Sequence, residues 1–211
     1  MRVITANLIT SQTEEDLFSV GMEVIISCMN KSMKWVLVGL GNPGAEYEWT
    51  RHNTGRELVL NLVKTLGTKK NVVLLTPDTF MNKSGQAVAP LIKTKKAAEG
   101  LVVIRDDLDL PLGRVKMTFA RGAGGHKGVE SIKRAIKTEE FIQIKIGISP
   151  STPKGKIKKV AGEEKVHDFI LSKFKPAEVA ELKKVYKKIT ASLDTLFLKG
   201  REAAMGEINT Q

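Results

Sequence analysis

Residues 35–55, WVLVGLGNPGAEYEWTRHNTG, constrain the fold more than any other part of the chain. The apolar run Trp35, Val36, Leu37, Val38 has strand length and ends in Gly39, Leu40, Gly41, Asn42, Pro43 and Gly44. An unbroken apolar run predicts a strand buried on both faces, and the glycines predict a tight turn at its end. The carboxyl end of such a strand is where α/β proteins build their sites. The polar segment that follows carries His52, one of three histidines, among Arg51, Asn53 and Thr54.

Gly39 to Gly44 also matches G-x-G-x-x-G, which makes a dinucleotide-binding fold the first class to test. That fold needs a helix running directly off the glycines and an acidic residue about 20 positions further on. Here Thr54 and Gly55 interrupt the expected helix, and no acid stands in the region 64–67. The match is a weak one.

Charge narrows the partners. A net charge of +11 and a pI near 9.7 point to a polyanion, with nucleic acid ahead of an anionic membrane. Aromatic residues make up 5% of the chain, which argues against a wide base-stacking platform. Cys28 stands alone, so an internal disulfide and a cysteine-based zinc site are both excluded, and a reducing compartment fits. No apolar run has the length of a membrane span. Residues 1–32 carry two basic and four acidic side chains, unlike a transit peptide, and lack a basic start next to an apolar run. They read as a poorly ordered extension before one domain over 33–211, with Met33 its natural beginning. A cytoplasmic chain is expected; a mitochondrion or plastid is the alternative if the extension is a targeting segment.

Helical spacing of Leu58, Val59, Leu62, Val63 and Leu66 predicts a helix over 56–66 with a stop at Gly67. Strands are expected over 71–76, 101–104, 114–119 and 141–149, the third alternating charged and apolar residues. Helices are expected from Ser84-Gly85 to about 92, over 129–136, over 165–172 and over 176–207; 77–82, 110–113 and 149–162 read as loops or turns. Arg121 to Gly128, RGAGGHKG, is either a phosphate-binding backbone at a helix start or a mobile loop. Strands alternating with helices predict an α/β fold: a single three-layer domain with a twisted, mixed, mostly parallel sheet flanked by helices. The 114–119 strand is its expected antiparallel member.

GLGNPGAEYEWTRHNTG, TPDTFMNKSGQAV, IRDDLDLPLGRVK and GAGGHKGVESI, in this order, then KIGIS and VHDFILSKF, resemble the bacterial-type peptidyl-tRNA hydrolases over residues 34–198. The resemblance implies a monomer that cleaves the ester between a peptide and the 3′ ribose of tRNA, recycling tRNA from aborted translation. Its partner would be peptidyl-tRNA, held by the acceptor arm and 3′ end, with no metal, organic cofactor or membrane involved.

Ester hydrolysis at neutral pH needs a water made nucleophilic, and an imidazole of pKa about 6.5 suits a general base. His52 matches the family's catalytic histidine. Asp106, at the end of the third apolar run, matches the carboxylate that fixes the imidazole tautomer and stabilises the imidazolium; Asp107 and Asp109 read as a solvated turn. Asn42 and Asn82 match substrate-binding positions, and the first helps distinguish a peptidyl from a free aminoacyl group. Tyr47 and Phe80 match contacts to the terminal adenosine, and Lys116 and Lys145 match contacts to tRNA phosphates. Taken without the motifs, these residues read as a loop histidine, turn and cap asparagines, core rings and wet lysines.

Three departures stand out. Lys127, also counted with the substrate-binding residues, occupies the place of a family asparagine; an ammonium cannot accept a hydrogen bond and disfavours protonated His52. Thr118 replaces a basic position, and the span between Leu66 and Val72 is shorter than usual. Lys127 and the short span favour a competing class, a non-catalytic RNA-binding protein on the same scaffold, as in related plant chloroplast splicing factors. His52 with Asp106 favours the enzyme.

Overall fold

The computed structural model describes residues 33–66, 69, 71–152, 157, 158 and 160–210. The expected extension and most of the short span after Leu66 lie outside these residues.

The predicted first strand forms as β1 (Trp35–Gly39), buried throughout. A turn region then leads to α1 (Thr54–Leu66) and β2 (Val72–Leu75). After β2 come α2 (Ser84–Val88), α3 (Lys95–Ala98) and β3 (Leu101–Pro111). Next are β4 (Val115–Phe119), α4 (Lys127–Ile136) and β5 (Ile142–Ser149), and the chain closes with α5 (Glu163–Leu171), α6 (Pro176–Lys199) and α7 (Arg201–Asn209). The sheet order is β2-β1-β3-β5-β4. β1 pairs in parallel with β2 and β3, β3 in parallel with β5, and β4 alone runs antiparallel, as expected.

Both faces are apolar, which is why the strands read as continuous hydrophobic runs. One face packs Leu37, Ile104 and Ile144 under Leu58 and Leu62 of α1, Leu193 of α6 and Ile208 of α7. The other packs Val36, Val38 and Val103 under Val88 of α2 and Val129 and Ile132 of α4.

Several boundaries differ from expectation, each for a physical reason. β3 continues past Ile104 to Pro111 because its polar residues stay paired with β5, Asp106 against Ile146 and Asp107 against Gly147. The turn expected over 110–113 is thereby reduced to its last part. The helix after Ser84 stops at Val88, and the short α3 is capped by the Thr94 side chain, which accepts from the Ala97 N–H at 3.1 Å. The single closing helix is two, divided at Gly200, whose φ of 91° belongs to the left-handed region.

Thr54 and Gly55 do not break a helix; they begin α1. A Cβ on Gly55 would run into the Ile104 carbonyl, and one on Gly39 into the carbonyl of Gly55. The glycines let three backbones meet, and this contact brings the start of α1 against β3. The helix starts ten residues beyond Gly44, with 3-10 turns at Ala45–Tyr47 and Arg51–Asn53 between, so the dinucleotide-binding geometry is not built. At the far edge of the sheet, Asn209 donates to the Met117 carbonyl at 2.9 Å and accepts from the Met117 N–H at 2.8 Å.

Candidate active site

The backbone contact at Gly55 sets the 3-10 turn Arg51–Asn53 beside β3. His52 Nδ1 lies 3.0 and 3.1 Å from the two carboxylate oxygens of Asp106. A third side chain completes the group: His126 Nε2 is 3.0 Å from Asp106 Oδ1, and the two imidazole rings are 5.0 Å apart. His126 is the N-cap of α4, and its Nδ1 accepts the Gly128 N–H at 3.2 Å. That bond fixes the tautomer: with Nδ1 accepting, Nε2 carries the proton and donates to Asp106. Of the backbone donors in RGAGGHKG, the Gly128 N–H is therefore taken by His126.

With both histidines donating to Asp106, His52 Nε2 keeps its lone pair. Among the described residues Nε2 has no partner, and His52 lines a cleft of about 810 Å³. Asp106 is held far below the ordinary carboxylate range; its burial pushes the other way and is outweighed by the two histidines. For His52, burial pulls the pKa down, but the charge and hydrogen bond of Asp106 raise it on balance above 6.5, with Lys127 and Arg105 opposing. His126 goes down, because its complete burial outweighs the same carboxylate. The pair of histidines is thereby split into one that takes up a proton readily and one that stays neutral.

The ligand atoms of His52, Asp106 and His126 lie within 4.8 Å of one another, close enough to share a metal ion. A metal on His126 Nε2 would move its proton to Nδ1 and set it against the Gly128 N–H. The donor set therefore suits a hydrogen-bonded chain better than a metal ion.

Of the residues expected from sequence, Asn42, Tyr47, Phe80, Asn82, His52, Asp106 and Lys127 all line the cleft. Asn42 is clamped by Asn53, which donates to its carbonyl at 2.9 Å and accepts its N–H at 2.8 Å. The Asn42 side-chain oxygen accepts the Met81 N–H at 2.8 Å, which leaves its amide N–H groups for a ligand. Tyr47 and Phe80 meet edge to face, centroids 6.5 Å apart, with Phe80 55% exposed. Lys127 is exposed at the first position of α4. Asp107 is not a solvated turn residue: it is buried, with Arg105 Nη1 at 3.3 Å and Lys145 Nζ at 3.7 Å.

Lys116 and Lys145 are not cleft residues. They pair across β4 and β5, and Lys145 pairs across β5 and β3 with Arg105, so three cations form one row on the sheet. Burial, then Arg105, lowers the Lys145 pKa. Beside the row, Gln143 and Thr118 are also cross-strand partners. Among the described residues, Arg105 Nε, Gln143 Oε1 and Thr118 Oγ1 are buried without a hydrogen-bond partner.

His126 was missed by sequence reasoning. Its signal was present, since it is one of three histidines and stands where a glycine-rich segment meets a helix. The glycines drew the reading to the backbone instead.

A family model described as peptidyl-tRNA hydrolase matches residues 36–211. The chain is 39% identical to the peptidyl-tRNA hydrolase of Aquifex aeolicus (strain VF5), over 83% of this chain and 96% of that relative. It is 34% identical to the one of Mycobacterium bovis (strain BCG / Pasteur 1173P2), over 82% and 96%. The crystal structure of peptidyl-tRNA hydrolase from Acinetobacter baumannii superposes with a TM-score of 0.72 at 29% identity, over 83% of this chain and 94% of that one. Since the matched span runs from the second residue of β1 through α7 and takes in every expected residue of the cleft, this chain belongs to the peptidyl-tRNA hydrolase family of enzymes.

Proposed function

We propose that this chain hydrolyses the ester joining a peptide to tRNA, with His52 as general base. The observation that carries the reading is the His52–Asp106 pair at the cleft wall, with Nδ1 engaged and Nε2 bare. A water at Nε2 loses its proton to the imidazole as its oxygen bonds to the ester carbonyl carbon. Asp106 stabilises the imidazolium, which then gives the proton to the departing 3′ ribose oxygen. His126 holds the second side of Asp106, so the carboxylate does not turn away from His52. The amide groups of Asn42 and Asn82 hold the peptide backbone or the water, and Tyr47 and Phe80 face the terminal adenosine. Lys127 supplies a cation beside the base, where it opposes the lingering of the imidazolium.

The row Arg105, Lys145 and Lys116 is read as the contact to tRNA phosphates. The in-register placement of the three cations supports that reading, because a row of positive charge suits a phosphate backbone. The chain acts in this reading as a cytoplasmic monomer without a metal. Among the described residues no helix is long and apolar enough to cross a membrane.

The test is release of N-acetylaminoacyl groups from tRNA by the wild type and by His52→Ala. Rapid release by the first alone is expected. Equal rates would replace the enzyme with a non-catalytic RNA-binding protein.

A further inference from the structure

Arg51 stands next to His52, yet its side chain serves another part of the molecule. It is 5% exposed, and its guanidinium carbon lies 4.6 Å from the centroids of both Phe169 and Phe174. Its Nη2 reaches both carboxylate oxygens of Glu178, at 3.0 and 2.8 Å, and its Nε donates to Ser172 Oγ at 3.2 Å. The Arg51 N–H donates to the Ser172 carbonyl at 3.1 Å, and the Phe174 N–H donates to the Trp49 carbonyl at 3.2 Å. All these partners belong to the end of α5, the start of α6 or the link between them.

α5 contains no buried residue, although Val166, His167, Ile170 and Leu171 form one side of the cleft. Only Phe169 and Ile170, near its end, pack partly buried against the core, so its position over the cleft is set largely by what ties that end to the body of the protein. Stability alone does not call for such a tie, since a buried ion pair is often replaceable by packed apolar side chains without loss. Here one nitrogen, Nη1, is even left buried with no hydrogen-bond partner among the described residues. What a forked, stacked guanidinium adds is a fixed distance and angle between two segments.

We propose that Arg51 is a positioning residue that sets the α5 side of the cleft at a fixed distance from the turn carrying His52. It acts on substrate binding and leaves the base alone, because His52 is held independently by Asp106. The proposal rests on the hydrolase reading above.

The experiment measures kcat, KM and the pH profile with N-acetylphenylalanyl-tRNA for the wild type, Arg51→Gln, Arg51→Lys, Phe169→Leu and the Arg51→Gln/Phe169→Leu pair. Loss of placement used equally by bound substrate and transition state raises KM at constant kcat, here by about 10-fold for Arg51→Gln and about 3-fold for Phe169→Leu. Arg51→Lys keeps the charge toward Glu178 but not the fork, so it recovers part of the loss. The double variant is no worse than Arg51→Gln, because both changes break one arrangement. The rising limb of kcat against pH stays in place.

An unchanged KM in folded Arg51→Gln overturns the proposal, and so does a fall in kcat alone, which marks mere loss of active protein. A shifted pH limb also overturns it, by assigning Arg51 to the base. Should Arg51→Gln fail to fold, Phe169→Leu decides: Phe169 is only partly buried, and an unchanged KM in that variant is equally fatal. An inactive wild type would instead remove the hydrolase reading itself.

Discussion

Two regions of this molecule handle polar burial in opposite ways. In the His52–Asp106–His126 group every hydrogen bond toward the carboxylate is made within the protein, and the one open atom is His52 Nε2. Across the Arg105–Lys145–Lys116 row, three cations sit side by side, two of them beside the carboxylate of Asp107, and among the described residues three buried polar atoms nearby have no hydrogen-bond partner. The first region is finished before a ligand arrives, as electrostatic preorganisation requires. The second leaves polar atoms unsatisfied, which weakens the free protein, and in the proposed reading its cations meet tRNA phosphates. Chemistry needs geometry that is set in advance, whereas a charged row acts through its field and needs less exact placement.

The two regions separate most clearly at His52. His52→Ala should lower hydrolysis on the order of 10²–10⁴-fold with tRNA affinity unchanged, measured by single-turnover release and by filter binding. A parallel loss of affinity would mean that the two regions are one.

Removing a cation from the row should do the reverse. Lys145→Ala or Lys116→Ala should weaken tRNA binding and reduce the slope of log affinity against log salt by about 1 each, with kcat intact. A slope equal to that of the wild type would take the row out of the interface.

Lys127 sharpens the contrast from the side of the cleft. Since His52 must be unprotonated to act and its pKa is raised, kcat should climb with pH through a limb above 6.5. The Lys127 cation lowers that pKa, so Lys127→Asn should move the limb further up while raising turnover on the plateau. An unchanged or lower plateau would show that the ammonium is used productively.

The smallest effect concerns the unpartnered hydroxyl. Thr118→Val removes it at equal shape and should stabilise the free protein by about 1 kcal/mol, or roughly 2–4 °C in Tm for a chain of this size. Destabilisation in a thermal melt would mean that the hydroxyl is satisfied by water.

Much of this was legible in order along the chain. The run Trp35 to Val38 announces a doubly buried strand, and His52 and Asp106 were paired through motifs 54 residues apart. What could not be read depends on packing. β3 outlasts its apolar run because Arg105, Asp106 and Asp107 stay in register against β5. Gly55 is a close-contact residue, whereas spacing alone suggested a helix breaker. The row of cations exists only in the register of three strands, and Arg51 owes its setting to rings more than 110 positions later. His126 was visible as a residue but not as the second support of Asp106, since that needs α4 and β3 to meet in space.

The amide of Asn209 bonds to both backbone groups of Met117 much as a neighbouring strand would. β4 is the outer strand of the sheet, and an outer strand with free peptide groups invites another chain to add on. α7 thus works as a stopper. Cutting it away would expose a template for intermolecular pairing, and the truncated protein should be lost to aggregation long before its chemistry could be assayed.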